Sequence, residues 1–237
     1  FALPGGFIGV NTGLLLSAQG ESEVASVLAH EIAHVTQHHI ARLITKQKQS
    51  KLISLATLAV AILAARSNSD VAGAATAFGQ AGVAQSQLNF TRGNEQEADR
   101  IGLQILERSG YDPHAMPTFF ERLQRATRLY EGGAPSYLRT HPLTYERIAD
   151  VQNRVQNLPY RQVPDSLEFQ LIRAKLKASF DPPREALGFF EESLGERKFL
   201  SEVASRYGLV VSLLRTKDYA RAKKELDALR KLGRANP

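Results

Sequence analysis

The amino-acid sequence predicts a mainly α (α+β) fold, in which a helical core with a small β-sheet is followed by an α-helical solenoid of repeats. Near the amino end, a run with strand character is followed by a long helical pattern that carries the sequence H-E-x-x-H. Beyond residue 160 the pattern changes to paired helices that recur at a fixed spacing. The predicted domains are therefore residues 1–160 and 161–237.

Composition limits the chemistry that this chain can perform. Its 237 residues, 43% of them hydrophobic, are enough to bury a substantial core. It contains no Cys, so disulfides and thiolate metal sites are excluded, and any metal must be held by His and carboxylate groups. The net charge is +6, and residues 161–237 hold 16 basic against 11 acidic side chains. Because acids are interspersed and no aromatic stacking platform is present, we expect no nucleic-acid partner.

The first strand signal comes after Pro4-Gly5-Gly6. Residues 7–11 and 12–15 read as one strand or two short ones, and they form the predicted small β-sheet. An edge strand beside a catalytic helix can pair with an extended peptide, so this segment is a candidate substrate-binding edge; a strand simply packed in a sheet fits equally well. No signal peptide opens the sequence, and Phe1 starts in the middle of what reads as a strand, so we expect the chain to be an N-terminally truncated fragment of a longer precursor.

A half-buried helix is predicted from about residue 21 to residue 44, with H-E-x-x-H at its centre. At about 3.6 residues per turn, His30 and His34 lie one turn apart on one face, so both imidazoles can reach one metal ion. Glu31 points beside that metal, where a general base for water must lie. Catalytic Zn²⁺ takes three protein ligands and leaves a position for water, so a third ligand must come from elsewhere in the chain. A chance match is the alternative, and the apolar stripe of the helix argues against it.

Residues 51–89 are rich in Ala, Leu, Gly and Ser. The apolar run 52–65 has 14 residues, fewer than the roughly 20 that span a bilayer, so we expect a buried or interfacial helix. The short length of this run predicts no transmembrane span and is compatible with a peripheral membrane contact. The stretch 71–88 reads either as a mobile helical flap or as a helix packed closely against a neighbour.

Two acidic residues open the next predicted helix, which starts near Thr91 and ends at Gly110. Glu95 and Asp99 are four residues apart and share a face, an unfavourable arrangement unless a cation lies beside them. Glu95 as third zinc ligand and Asp99 as acceptor for a ligating imidazole N–H would satisfy both charges. An ordinary acidic first turn, stabilised by the helix dipole, is the alternative.

Three sequence blocks occur in a recognisable order: His30-Glu31-x-x-His34, then Glu95-x-x-x-Asp99, then His-Pro followed shortly by Arg. Over roughly residues 1–157 they resemble the gluzincin metallopeptidases, the family that includes the CAAX prenyl proteases and the bacterial HtpX-type enzymes. The absence of long spanning helices favours its soluble branch. The resemblance implies a zincin-type metalloprotease core and a zinc metalloendopeptidase, with Zn²⁺ bound by the two histidines and Glu95.

The same resemblance implies roles for the remaining motif residues. Glu31 would be the catalytic base and Asp99 would support a ligand, while His141 and Arg147 would line the active site. Pro142 suits the first position of a helix, which would place His141 at the helix N-terminus, as an oxyanion donor or as a fourth zinc ligand.

Two further expectations concern the surroundings of this site. His38 and His39 are expected to be structural or solvent-facing, because no Gly follows His34 to turn a third His towards the metal. The segment around His141 and the Ala/Gly-rich stretch before Glu95 are expected to regulate access to the zinc.

The carboxyl-terminal part repeats a small and a large residue. Ala186 and Phe190 recur 36 residues later as Ala222 and Leu226, near the 34-residue period of tetratricopeptide repeats. This predicts a tetratricopeptide-repeat solenoid, incomplete in this chain; a generic helical hairpin domain is the alternative.

A metallopeptidase joined to such repeats resembles a periplasmic branch of the family. This resemblance implies a location in the periplasm, unfolded or misassembled outer-membrane proteins as substrates, and contact with the β-barrel assembly machinery through the repeats. The competing function is a chaperone or adaptor whose repeats bind clients while the metal is structural.

Overall fold

The computed structural model describes residues 1–65, 69–129 and 141–235, and these are mostly helical. In chain order the helices are α1 Thr12–Ser17, α2 Glu21–Thr36, α3 His39–Ala65, α4 Ser69–Arg108, α5 Ala115–Leu129, α6 Tyr145–Val155, α7 Leu167–Phe180, α8 Pro183–Gly195, α9 Glu202–Arg215 and α10 Tyr219–Ala235. The mainly α prediction is confirmed.

The expected small β-sheet is not formed by the described residues. Their strand character is limited to an isolated antiparallel bridge between Ala2 and Ile8, across a turn in which Gly5 and Gly6 have φ of 89° and 85°. Residues 12–15, expected as strand, are helical. The Asn11 side chain accepts a hydrogen bond from the Gly13 amide at 2.8 Å and so caps α1, which the apolar pattern alone did not reveal.

Contacts divide the chain into two compact units. Unit 1 contains residues 1–9 and 25–161, and unit 2 contains residues 10–24 and 162–237. The predicted domain boundaries, 1–160 and 161–237, stay a prediction. The two units are not continuous in sequence, because the contacts of residues 10–24 assign this segment to unit 2. In unit 1 the core is formed by large, fully buried side chains from α4, α5 and α6, among them Leu106, Met116, Phe119, Phe120 and Val151.

The predicted helix 21–44 is interrupted. Helix α2 ends at Thr36, and α3 begins at His39. Between them His38 adopts φ of 55°, the left-handed conformation with which many helices end. The interruption changes the direction of the chain directly after the H-E-x-x-H motif. Within α2 the residues of the H-E-x-x-H motif are buried, whereas the apolar Ile32 between them is 37% exposed.

Helix α4 begins far before Thr91 and runs without a break through Glu95. The helix-dipole explanation for its acidic residues is therefore wrong, because Glu95 lies 26 residues inside a helix that starts at Ser69. The stretch 71–88 is part of α4, which packs along α3, as the second alternative predicted. Farther along, α4 crosses α2 so closely that a Cβ on Gly102 would lie 3.0 Å from the His30 backbone.

In unit 2, α9 packs against α7, α8 and α10. Their small and large residues interlock: Phe190 lies over Gly208, where an added Cβ would be 2.3 Å from the ring. The shared core consists of Ala174, Ala178, Phe190, Ala204, Leu209, Leu213 and Ala222. In the described part of the chain, no helix is long and apolar enough to cross a membrane.

Candidate metal centre

Four buried side chains from three parts of unit 1 converge on one point. His30 and His34 come from α2, Glu95 from α4, and His141 from the segment before α6; each is at most 7% exposed. Their ligand atoms all lie within 4.8 Å of one another. Because His30 and His34 are one turn apart, they lie on the same face of α2. The close crossing of α4 at Gly102 brings Glu95 of α4 to that face.

The distances within this group fit a small tetrahedral cation. His30 Nε2 lies 3.0 Å from His34 Nε2, and these nitrogens lie 3.5 Å and 3.4 Å from the Glu95 carboxylate oxygens. His141 Nδ1 is 3.3 Å from His30 Nε2 and 3.1 Å from Glu95 Oε1. Ligand bonds of 2.0–2.2 Å to tetrahedral zinc imply separations of about 3.3 Å between ligand atoms. The donor set of imidazoles and one carboxylate is also the set that zinc accepts.

Asp99 and Arg147 support this group from behind. Asp99 Oδ1 lies 2.9 Å from His30 Nδ1, and this contact directs Nε2 of that ring to the other donors. Arg147 donates to both oxygens of Asp99, at 2.7 and 2.8 Å, and lies 2.9 Å from Glu95 Oε2. The Arg147 guanidinium therefore contacts both Asp99 and Glu95 of α4. This explains how two acids of the same face coexist in a buried site.

The buried charges shift the pKa values of the histidines in opposite directions. Burial lowers the pKa of His30, but the hydrogen bonds and charges of Asp99 and Glu95 outweigh it and raise that pKa to about 9. Burial and the neighbouring His30 lower the pKa of His34 to about 3. Burial favours the neutral form of Asp99, yet the hydrogen bonds of Arg147 and His30 keep its pKa below the usual range. Burial raises the pKa of Glu95, but hydrogen bonds with His141 and His30 outweigh it and lower that pKa. Asp99 and Glu95 are thus ionised at neutral pH and suited to bind a cation.

Glu31 lies beside the donors and not among them. Its side chain is 1% exposed, and neither carboxylate oxygen forms a hydrogen bond with a described residue. Its Oε1 has two longer ion-pair contacts, 3.3 Å from His141 Nε2 and 3.4 Å from the Phe1 amino group. Because a buried carboxylate without a hydrogen bond is costly, this arrangement favours a group that accepts a further ligand such as water.

His141 is not at the N-terminus of a helix. Helix α6 begins at Tyr145, and Thr144 caps it by accepting a hydrogen bond from the Arg147 amide at 3.3 Å. The expectation that Pro142 starts the helix is wrong, because the Thr144 hydroxyl provides the cap two residues later. The Pro142 carbonyl instead accepts a hydrogen bond from Arg147 Nη1 at 2.8 Å. Residues 130–140, part of the segment expected to regulate access, lie outside the described residues.

His39 is a contact of the site that the sequence did not indicate. It is 3% exposed, and its Nδ1 lies 2.9 Å from Nδ1 of His34, while its Nε2 lies 3.2 Å from Glu97 Oε2. His34 Nδ1–H can therefore donate to His39, whose Nε2–H donates to Glu97, leaving His34 Nε2 as a donor atom for metal. Burial lowers the pKa of His39, which agrees with a neutral ring. His38, in contrast, is exposed.

Comparison with known proteins places this geometry in a family. Residues 1–155 match the model of peptidase family M48. The chain belongs to peptidase family M48. This membership confirms the predicted class of enzyme, a metallopeptidase, and the three-block resemblance at the level of the family.

Two curated relatives match almost the whole chain, and a third matches part of it. A protein of Vibrio cholerae is 38% identical over 231 residues, 97% of this chain and 48% of the relative. The beta-barrel assembly-enhancing protease of Escherichia coli K12 is 36% identical over 230 residues, 97% of this chain and 47% of the relative. The mitochondrial metalloendopeptidase OMA1 of Arabidopsis thaliana is 35% identical over 142 residues, 60% of this chain and 26% of that protein. The chain thus spans about half the length of the first two relatives.

Proposed function

We propose that this chain carries the catalytic centre of a zinc endopeptidase. The observation that carries the proposal is the pairing of a four-donor buried group with an adjacent carboxylate that has no hydrogen-bond donor. His30, His34 and Glu95 would hold Zn²⁺, which would supply Lewis-acid polarisation of a peptide carbonyl and of the attacking water. Glu31 takes the proton from that water at a carboxylate oxygen and then delivers it to the leaving amine.

The supporting residues have separate tasks in this proposal. Asp99 fixes the tautomer of His30 by accepting its Nδ1 proton. Arg147 neutralises Asp99 and Glu95 from the side away from substrate and holds α6 against α4. Because all of these groups are buried, substrate must meet a site from which bulk water is largely excluded, where charges act more strongly than in water.

We also propose substrates and a location for the protein. Two of the relatives above match 97% of the chain, and both are named for enhancing β-barrel assembly. The proposed substrates are misfolded or stalled outer-membrane proteins, and the proposed location is the periplasm. In unit 2, the interlocking of Phe190 with Gly208 and the buried Ala222 support a tetratricopeptide-type packing through which the protein would contact the β-barrel assembly machinery.

The Glu31→Gln variant tests the catalytic proposal. It keeps the shape of the side chain and removes its basicity, so we expect proteolysis of an unfolded polypeptide to fall by about 10²-fold to 10⁴-fold with zinc content unchanged. Glu146→Gln is the matched control, since Glu146 is exposed on α6. If Glu31→Gln with zinc bound kept full activity, the mechanism would be wrong. If it lost proteolysis but still complemented a deletion strain fully, the chaperone or adaptor function would account for the biology.

A further inference from the structure

The second half of α3 exposes large apolar side chains. Leu52, Leu55, Leu58, Ile62 and Leu63 have exposed fractions between 51% and 68%. We call residues 52–63 the apolar tip. Single exposed leucines are common on soluble proteins, but a dense group on one helix marks a surface that contacts something other than water.

In the apolar tip the large side chains face outward and the small side chains face α4. Towards α4, helix α3 presents small residues: Ser50 and Ala61 are 9% and 5% exposed, and Thr57 contacts Gly79 so closely that an added Cβ would lie 2.3 Å away. A helix that packs onto a protein core in water buries its large apolar residues and exposes its small polar ones. Helix pairs in lipid show the opposite arrangement, with small residues between the helices and large apolar residues facing outward.

A row of basic residues precedes the tip on the same helix. Helix α3 contains no Asp or Glu, and it carries Arg42, Lys46, Lys48 and Lys51. Arg42 pairs with Glu97 at 2.8 Å. The three lysines form no ion pair with any residue that the structure describes, and Lys48 and Lys51 are exposed. This leaves a positive charge at one end of an apolar surface.

We propose that the apolar tip inserts into the surface of an anionic phospholipid bilayer, with the three lysines at the level of the headgroups. The tip has twelve residues, fewer than the roughly 20 that span a bilayer, so it enters the bilayer surface without crossing the bilayer. Lysine stems lie along apolar surface while their ammonium groups contact phosphate. A second copy of this chain is a poorer occupant, because the α3 of that copy carries no Asp or Glu with which the lysines could pair.

Fluorescence tests this proposal because the chain contains no Trp. In Leu58→Trp the indole reports the polarity around the tip. With phosphatidylcholine vesicles containing phosphatidylglycerol we expect a blue shift and co-sedimentation of the protein. With pure phosphatidylcholine vesicles the partition coefficient should be at least tenfold lower. Leu200→Trp, at a residue of unit 2 that is 79% exposed, is the matched control and should show no shift.

Substitutions and the unaltered chain complete the test. Lys48→Gln with Lys51→Gln should weaken partitioning by about fivefold per lysine, since each basic residue near an anionic surface contributes about that factor. Lys223→Gln with Lys224→Gln, on the exposed side of α10, should leave it unchanged. Co-sedimentation of the unsubstituted chain with the same vesicles shows that binding does not depend on the introduced Trp. Equal binding to both kinds of vesicle, binding to neither, or a blue shift that depends on protein concentration without vesicles would each overturn the proposal.

Discussion

At the scale of single residues, His34 is held at both ring nitrogens. Its Nε2 faces the other donors and its Nδ1 faces His39, which is itself fixed by Glu97. A ligand whose second nitrogen is fixed loses less orientational freedom on binding metal. His39 is therefore a positioning residue for the site although it lies one turn too far along the chain to be a ligand.

His39→Ala tests this role. The substitution removes the acceptor for His34 Nδ1–H, so we expect zinc affinity to fall by about 10-fold to 100-fold, measured by competition with a chromophoric chelator. His38→Asn is the control, since His38 is exposed and Asn tolerates its left-handed backbone. An unchanged affinity in His39→Ala would show that the contact is only packing.

The position of His141 gives opposite expected outcomes for its two candidate roles. Its Nδ1 lies among the candidate ligand atoms, and its Nε2 lies 3.3 Å from Glu31 Oε1, so an inhibitory ring would occupy the place of the water beside that base. We expect His141→Ala to raise the rate of cleavage of a loosely folded substrate at constant zinc content. A rate lower by about 10²-fold to 10³-fold would instead identify an oxyanion donor. An unchanged rate would exclude both roles.

The clustering of His30, His34 and Glu95 could be predicted from sequence, whereas the surroundings of these residues could not. H-E-x-x-H and Glu95-x-x-x-Asp99 are local patterns, and helical periodicity alone places each pair on one face. The contact of His39 with His34 depends on the left-handed backbone of His38, which no periodic pattern reveals. Of the two alternatives expected for these histidines, the structural one fits the buried His39 and the solvent-facing one fits His38.

At the scale of helices, the crossing of α2 and α4 sets the spacing of the donors. Gly102 permits it, because a Cβ there would lie 3.0 Å from both Cα and N of His30. The sequence indicated a helix around Glu95 but not its start at Ser69, since Thr91 and Gly93 look like the beginning of a helix. Packing of α4 along α3 outweighs these local signals.

Gly102→Ala should separate the two helices. The backbone of α2 must shift to admit the methyl group, so we expect a loss of about 1–3 kcal/mol in unfolding free energy and weaker zinc binding. Gly93→Ala in the same helix is the matched control, because nothing lies within 4 Å of its added Cβ. It should stabilise the protein by about 0.5–1 kcal/mol through helix propensity. Denaturant unfolding with and without zinc measures both effects, and equal behaviour of the two variants would contradict the close crossing.

At the scale of the whole molecule, the candidate site belongs to one unit. All four donors lie in unit 1, although His30 and His141 are separated by 111 residues of sequence. The change of pattern near residue 160 was visible in the sequence. The inclusion of residues 10–24 in unit 2 was not, because it depends on tertiary contacts such as the Glu21 amide donating to Asp165 at 2.6 Å.

Metal binding should therefore stabilise unit 1 selectively. A ligand that binds only the folded state adds RT ln(1 + [L]/Kd), about 4.1 kcal/mol at a thousandfold excess over Kd. Slow amides of α2 and α4 that exchange through opening of the site should then exchange about 10³-fold more slowly with zinc than with chelator. Amides of α9, whose Leu213 is buried in the unit 2 core, provide the internal reference. The double variant His30→Ala and His34→Ala should abolish the difference, because it removes two of the donors. Hydrogen exchange read by mass spectrometry measures the protection of α2, α4 and α9 in the unaltered chain and in the double variant. Equal protection of α2, α4 and α9 by zinc would contradict a site confined to unit 1.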